Sequence, residues 1–183
     1  MKYLWLISLL IFIFINPCKA QEKISTPCYT TNRNDSSGLY TVNLSIYNNN
    51  FSGLLLFKKT SDSSIRAVLT TEMGPKILDL ELYNTKYKVN YTIKQLNKKI
   101  ILKSLYTDFA SISGILRYNN KDERYFLQHF DTLKNCFVTE LLNKKGRELE
   151  ICYFCNKTEK SADSVFLQHF NFKMTMELRK INY

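Results

Sequence analysis

The chain's two histidines occupy one repeated pentapeptide, Phe126-Leu127-Gln128-His129-Phe130 and Phe166-Leu167-Gln168-His169-Phe170. If the two segments were neighbouring strands, His129 and His169 could share a face and bind a metal ion. They would still fall short of the three or four protein ligands that a zinc site uses. The likeness ends within a residue or so on either side, and Phe alternating with polar residues is ordinary strand composition, so no metal is expected. Cys152-Tyr153-Phe154-Cys155 has the C-x-x-C spacing of redox and zinc motifs. A redox pair draws its reactivity from a helix N-terminus, whereas residues three apart on a strand face opposite sides. A structural disulfide or buried free thiols suit this context better. Asp79 and Glu81 share a strand face, but they alternate with leucines as a wet outer face would. No Gly-x-Ser-x-Gly motif, paired-carboxylate stretch or nucleophile, base and orienter set stands out. The sequence therefore predicts no catalytic residue, no cofactor and no enzyme.

The elements around these residues are mostly strands. Tyr40, Val42, Leu44 and Ile46 alternate with Thr41, Asn43 and Ser45, a period of two. Phe51 to Lys58 is apolar on both faces at Leu54-Leu55-Leu56-Phe57, and Gly53 marks a bend or bulge there. Ile65 to Thr70, Lys76 to Leu82 and Tyr87 to Ile93 complete five short strands whose brief links make a meander. Ile93 to Ser113 then changes period: Ile93, Leu96, Ile100, Leu105, Phe109 and Ile112 recur at helical steps, and Gly114 ends the helix. Ile115 to Tyr118, Arg124 to Phe130, Cys136 to Leu142, Leu149 to Cys155 and Val165 to Leu178 read as further strands, the last bending near Asn171 into two. About 10 to 11 antiparallel strands interrupted by one amphipathic helix predict a mainly β fold. Its expected form is an incomplete, strongly curved barrel with the helix as a lid on the concave side.

At 183 residues the chain suits one domain. Residues 1 to 20 read as an export signal: Lys2, an apolar run from Tyr3 to Ile15, then Asn16-Pro17-Cys18-Lys19-Ala20. The run is shorter than the roughly 20 residues a membrane-spanning helix needs. Cleavage after Ala20 competes with lipoprotein processing, which would acylate Cys18 and tether the protein to a membrane. Residues 21 to 38 form a polar arm, and 39 to 183 the domain. Removing Lys2 and Lys19 with the leader lowers the net charge from +10 to +8. The lysines are scattered singly or in pairs, as on solvated faces, so nucleic acid is not an expected partner. Cys28, Cys136, Cys152 and Cys155 would remain, and export permits disulfides.

The block Asn50-Phe51-Ser52-Gly53-Leu54-Leu55-Leu56-Phe57-Lys58, with Ile65-Arg66-Ala67-Val68-Leu69-Thr70-Thr71-Glu72-Met73-Gly74-Pro75-Lys76-Ile77-Leu78-Asp79-Leu80-Glu81-Leu82, resembles the lipoprotein-localisation factors of Gram-negative bacteria, the LolA and LolB type. The nearest likeness is to uncharacterised exported relatives of those factors, and it covers Tyr40 to Ser113. The resemblance implies an unclosed barrel with a helical lid and an apolar hollow that takes up acyl chains. It places the protein in the periplasm or on the periplasmic face of the outer membrane. The expected ligand is a lipid or the acyl chain of a lipoprotein, held between the helix stripe (Leu96, Ile100, Leu105, Phe109) and the sheet. Expected wall residues on the sheet are Leu54, Leu56, Leu78, Leu80, Val89, Phe170, Phe172, Met174 and Met176. The same side chains could instead fill a dry core, and the protein would then be a structural or interaction module that meets an envelope protein partner.

Overall fold

The computed structural model describes residues 37–60, 64–115, 125–155 and 162–181. The leader, most of the arm, Cys18 and Cys28 lie outside them. The chain forms one open, curled antiparallel sheet with a helix packed on one face. Its strands are β1 (Ser37–Ile46), β2 (Asn49–Lys59), β3 (Ile65–Thr70), β4 (Lys76–Leu82) and β5 (Tyr87–Thr92), followed by helix α1 (Lys99–Ile112). After the helix come β6 (Tyr125–Asp131), β7 (Cys136–Asn143), β8 (Gly146–Cys155), β9 (Ala162–His169) and β10 (Met174–Lys180). The spatial order is β5-β4-β3-β2-β1-β10-β9-β8-β7-β6. Every strand thus pairs with its sequence neighbour except at two places. The first and last strands meet, Tyr40 opposite Lys180 and Ile46 opposite Met174, and β5 and β6 are left as the two edges. The chain between those edges carries the helix.

Alternation in the sequence becomes alternation in burial. Tyr40, Val42, Leu44 and Ile46 of β1 face inward with Leu55 and Phe57 of β2, Ala67 and Leu69 of β3, and Leu78, Leu80 and Leu82 of β4. Val165, Leu167, Met174, Met176 and Leu178 continue that face across β9 and β10. Tyr40, Phe57 and Phe109 run edge to face from sheet to helix, with ring centroids 6.0 and 5.7 Å apart. Each such pair adds about 0.5–1.5 kcal/mol beyond the area it buries.

Gly53 answers to a close backbone approach. A Cβ added there would lie 1.9 Å from the carbonyl oxygen of Thr70 on the neighbouring strand. The long last segment does divide near Asn171, into β9 and β10 with a turn over residues 170–173. The strand expected at Ile115 to Tyr118 falls mostly outside the described residues, and Ile115 itself is not in a strand.

The helix begins six residues later than its apolar pattern suggests. Ile93 donates its N–H to Ile77 and accepts from Leu96, so a turn over residues 94–96 precedes the first helical residue, Lys99. The helical phase therefore restarts, and the buried line runs through Ile101, Leu102, Leu105, Phe109 and Ile112. Ile100 falls off that line and is 58% exposed. At the other end Ser113 is the C-cap and Gly114 adopts φ 68°, the left-handed conformation that closes helices.

Candidate functional site: the crevice at His169 and Asp108

One polar residue lies on the buried line of α1. Asp108 is three residues after Leu105 and four before Ile112, and it is fully buried. A carboxylate in that position needs a partner, because an unpaired buried charge is costly. His169, the last residue of β9, supplies it: its Nε2 bonds Asp108 Oδ1 at 2.9 Å and Oδ2 at 3.0 Å, and its side chain is only 7% exposed. Burial pushes the Asp108 carboxyl up, opposed by the charge of and hydrogen bond to His169. Burial alone would lower His169, but the carboxylate beside it outweighs burial and raises it. A proton is thus held firmly between helix and sheet.

Two crevices lie beside this pair, one between the helix and the sheet and one between strand turns. One of about 230 Å³ is lined by Ile100, Lys103, Ser104 and Thr107 of the helix and by Leu141, Glu148, Leu149, His169, Asn171 and Phe172. The other, about 430 Å³, lies between the β1–β2 and β9–β10 turns, against Tyr47, Gln168, Phe170, Lys173 and Met174. His169 and Phe172 line both. Their rings are 4.9 Å apart, and Tyr47 packs on the far side of Phe172 at 6.1 Å. The larger crevice is within the roughly 300–1,000 Å³ of small-molecule sites, and the smaller falls just below it.

The expected wall residues divide into two sets. Leu78, Leu80, Leu96, Leu105, Phe109, Met174 and Met176 lie in one packed cluster, and Phe172 packs half-buried against it. Leu54 and Leu56 do not face it: the inward parity of β2 belongs to Leu55 and Phe57, a choice that a run apolar on both faces leaves open. Val89 sits on edge strand β5 and is partly exposed, because no strand covers it. Ile100 is turned out by the later helix start yet borders the smaller crevice. Phe170 falls in the β9–β10 turn, where Arg147 lies over its ring at 5.1 Å.

The repeated pentapeptide does not bring the histidines together. β6 and β9 are separated by β7 and β8, and the two copies have opposite parity. Phe126 packs on the main core, whereas Phe166 packs on the other face and Leu167 takes the core position. His129 is exposed and His169 is inward. Among the described residues no group of three or more His, Cys, Asp or Glu could hold a metal ion.

The C-x-x-C residues also part. Cys155 packs against the main core and is disulfide-bonded, its partner outside the described residues. Cys152 lies on the outer face as a buried free thiol with Cys136, Val138 and Phe166. Burial pushes the Cys152 thiol up to about 12, far from a reactive thiolate. Nearby, Glu150 is held by Lys134 at 2.7 Å and by Arg147 at 2.6 Å. Asp79 departs from the expected wet face as well. It is 1% exposed, beneath Arg66 and Lys76, each bonded to it at 2.8 Å. The Arg66 hydrogen bond chiefly holds its carboxyl well below the usual range, against the effect of burial.

No family model matches the chain, and no curated protein matches it.

Proposed function

We propose that this is a non-enzymatic, exported cell-envelope protein that binds a lipid or acyl group where helix and sheet part. In this reading the fold is an unclosed barrel of the lipoprotein-localisation type with α1 as its lid. The carrying observation is the pair of crevices that meet at His169 and Phe172. Ile100, Leu141, Leu149 and Phe172 offer apolar wall there, among polar groups from both the helix and the sheet. Burial of a chain against such a wall contributes about 0.8 kcal/mol per methylene. The mouth is also suited to approach by an amphiphile. The turns at that end of the sheet expose Met73 (93%) and Phe170, the first turn of α1 exposes Ile100, and Lys98, Lys99 and Lys173 are exposed beside them in sequence and topology.

A second reading rests on a different observation. The middle of the space between helix and sheet is filled: Leu55, Leu78, Leu80, Leu105 and Ile112 have no exposed surface at all. A filled interior suits a rigid module that presents its surface to an envelope protein. Native mass spectrometry of the full chain, with lipid extraction and analysis, separates the two. Co-purifying lipid in stoichiometric amount supports the first reading, and a lipid-free protein that also fails to take up added fatty acid supports the second.

A further inference from the structure

The side-chain hydrogen bonds of His169 are all made by one ring nitrogen. Nε2 serves both oxygens of Asp108, so Nδ1 has no partner among the described residues, although the ring is more than nine-tenths buried and lines both crevices. A ring nitrogen left over on a crevice-lining imidazole whose charge is anchored from behind is prepared to donate a hydrogen bond to something that is not part of this sheet.

The groups around that nitrogen define what fits. Lys103 and Thr107 come from α1, Asn171 and Lys173 from the β9–β10 turn, and Glu148 from the start of β8. Asp108 neutralises the imidazolium, so Lys103 and Lys173 stand against the single carboxylate of Glu148, and that carboxylate also accepts from Asn143. The site keeps a small positive surplus. One negative charge is accommodated and a second would meet Glu148. Ile100, Leu141, Leu149 and Phe172 supply apolar wall among these groups.

We infer that this crevice takes the monoanionic head of an amphiphile, a carboxylate in preference to a dianionic phosphate, with the head on His169 Nδ1 and Lys103 and the chain along Ile100, Leu149 and Phe172. The inference rests on the acyl-binding reading above and specifies the chemical class of its ligand. Charge-assisted hydrogen bonds to a carboxylate supply the head-group selectivity. The head group is held best while the imidazolium is present, and deprotonation of His169 turns Nδ1 into an acceptor that repels it.

The two histidines make the test direct, because exposed His129 serves as an internal reference for His169. Imidazole signals of the intact protein are followed by NMR while dodecanoate, its neutral glycerol monoester or inorganic phosphate is added at pH 6 and pH 9. Dodecanoate is expected to move the His169 signals and leave those of His129 in place. It should bind about tenfold more tightly than the neutral ester at pH 6, and that preference should shrink at pH 9. Lys103→Gln, which leaves the Asp108–His169 pair intact, should weaken dodecanoate several-fold and leave the ester unchanged. Equal binding of dodecanoate and ester with His169 unmoved overturns the head-group inference while leaving the acyl reading in place. Failure of both to bind overturns both. Phosphate alone binding as tightly as dodecanoate overturns the amphiphile and makes this a free-anion site.

Discussion

His169 and Asp108, 61 positions apart in the chain, form the one ion pair among the described residues that joins the helix to the sheet. The other ion pairs seen among the described residues lie within single strands or join strands and turns of the sheet, and none of them reaches α1. The seating of α1 therefore depends on apolar packing, on this ion pair and on the Tyr106 hydroxyl, which donates to the carbonyls of Tyr83 and Asn84 at 3.0 and 3.2 Å, and the charged link responds to different perturbations from the rest.

Removing the imidazole strands a carboxylate that has no exposed surface. His169→Leu is expected to destabilise the protein by about 3–5 kcal/mol at neutral pH, the range for breaking a buried pair. Adding Asp108→Leu should recover much of that loss, because the apolar line of α1 then continues without a charge. Urea denaturation of the wild type, both single variants and the double variant gives the coupling as a double-mutant cycle.

The same pair sets a pH dependence with a definite sign. Both groups are raised in the folded protein, so the folded state binds protons that the unfolded state releases. For His169 the stabilisation is complete below its unfolded value of about 6.5 and is lost as pH rises through the higher folded value. Denaturant midpoints should fall as pH is raised from about 6.5, and the double leucine variant should show no such decline in that window.

Gly53 admits no side chain while β3 stays where it is. Its Cβ would meet the carbonyl of Thr70, a main-chain atom that cannot swing aside. Gly53→Ala is expected to cost about 1–3 kcal/mol, as overpacking does. A thermal melt compares it with Gly74→Ala, where nothing lies within 4 Å but the φ of 100° disfavours a side chain. The first loss arises from contact and the second from conformation, so only the first should be eased by a substitution that lets β3 move.

Cys136 and Cys152 are buried free thiols, both pushed up by burial. Alkylation of the native protein with iodoacetamide at pH 8, read by peptide mass spectrometry, should leave both unmodified. After denaturation without reductant both should react, and Cys155 should become reactive only once its disulfide is reduced.

Strand positions were legible wherever one face is wet. Tyr40 to Ile46 alternate cleanly, and the structure follows them; Leu78, Leu80 and Leu82 keep their expected inward parity, although Asp79 between them is buried too. Phase was lost where neither face is polar, which is why Leu54 and Leu56 changed places with Leu55 and Phe57. The two copies of Phe-Leu-Gln-His-Phe make the limit plain. One sequence takes both parities, because the register of the neighbouring strands decides which side faces the core. The helix was legible as a period but not as a phase, since Ile93 and Leu96 belong to the turn before it. Asp108 could have been found. Ile101, Leu105, Asp108 and Ile112 lie on one side of a helix, and a carboxylate in that series calls for a buried partner. Nothing in the sequence says that the partner is His169, because a pairing across sheet and helix leaves no periodic trace.

The strand order also bears on assembly. Within each group of five strands every pairing is a local hairpin, and such contacts form early because short loops close at small entropic cost. Only the seam between β1 and β10 joins distant stretches of chain. Until the last strand emerges, β1 keeps a bare edge, and a nascent molecule is exposed to edge-to-edge association through Thr41, Asn43 and Ser45. A chaperone that shields that edge would speed maturation more than one that shields the helix.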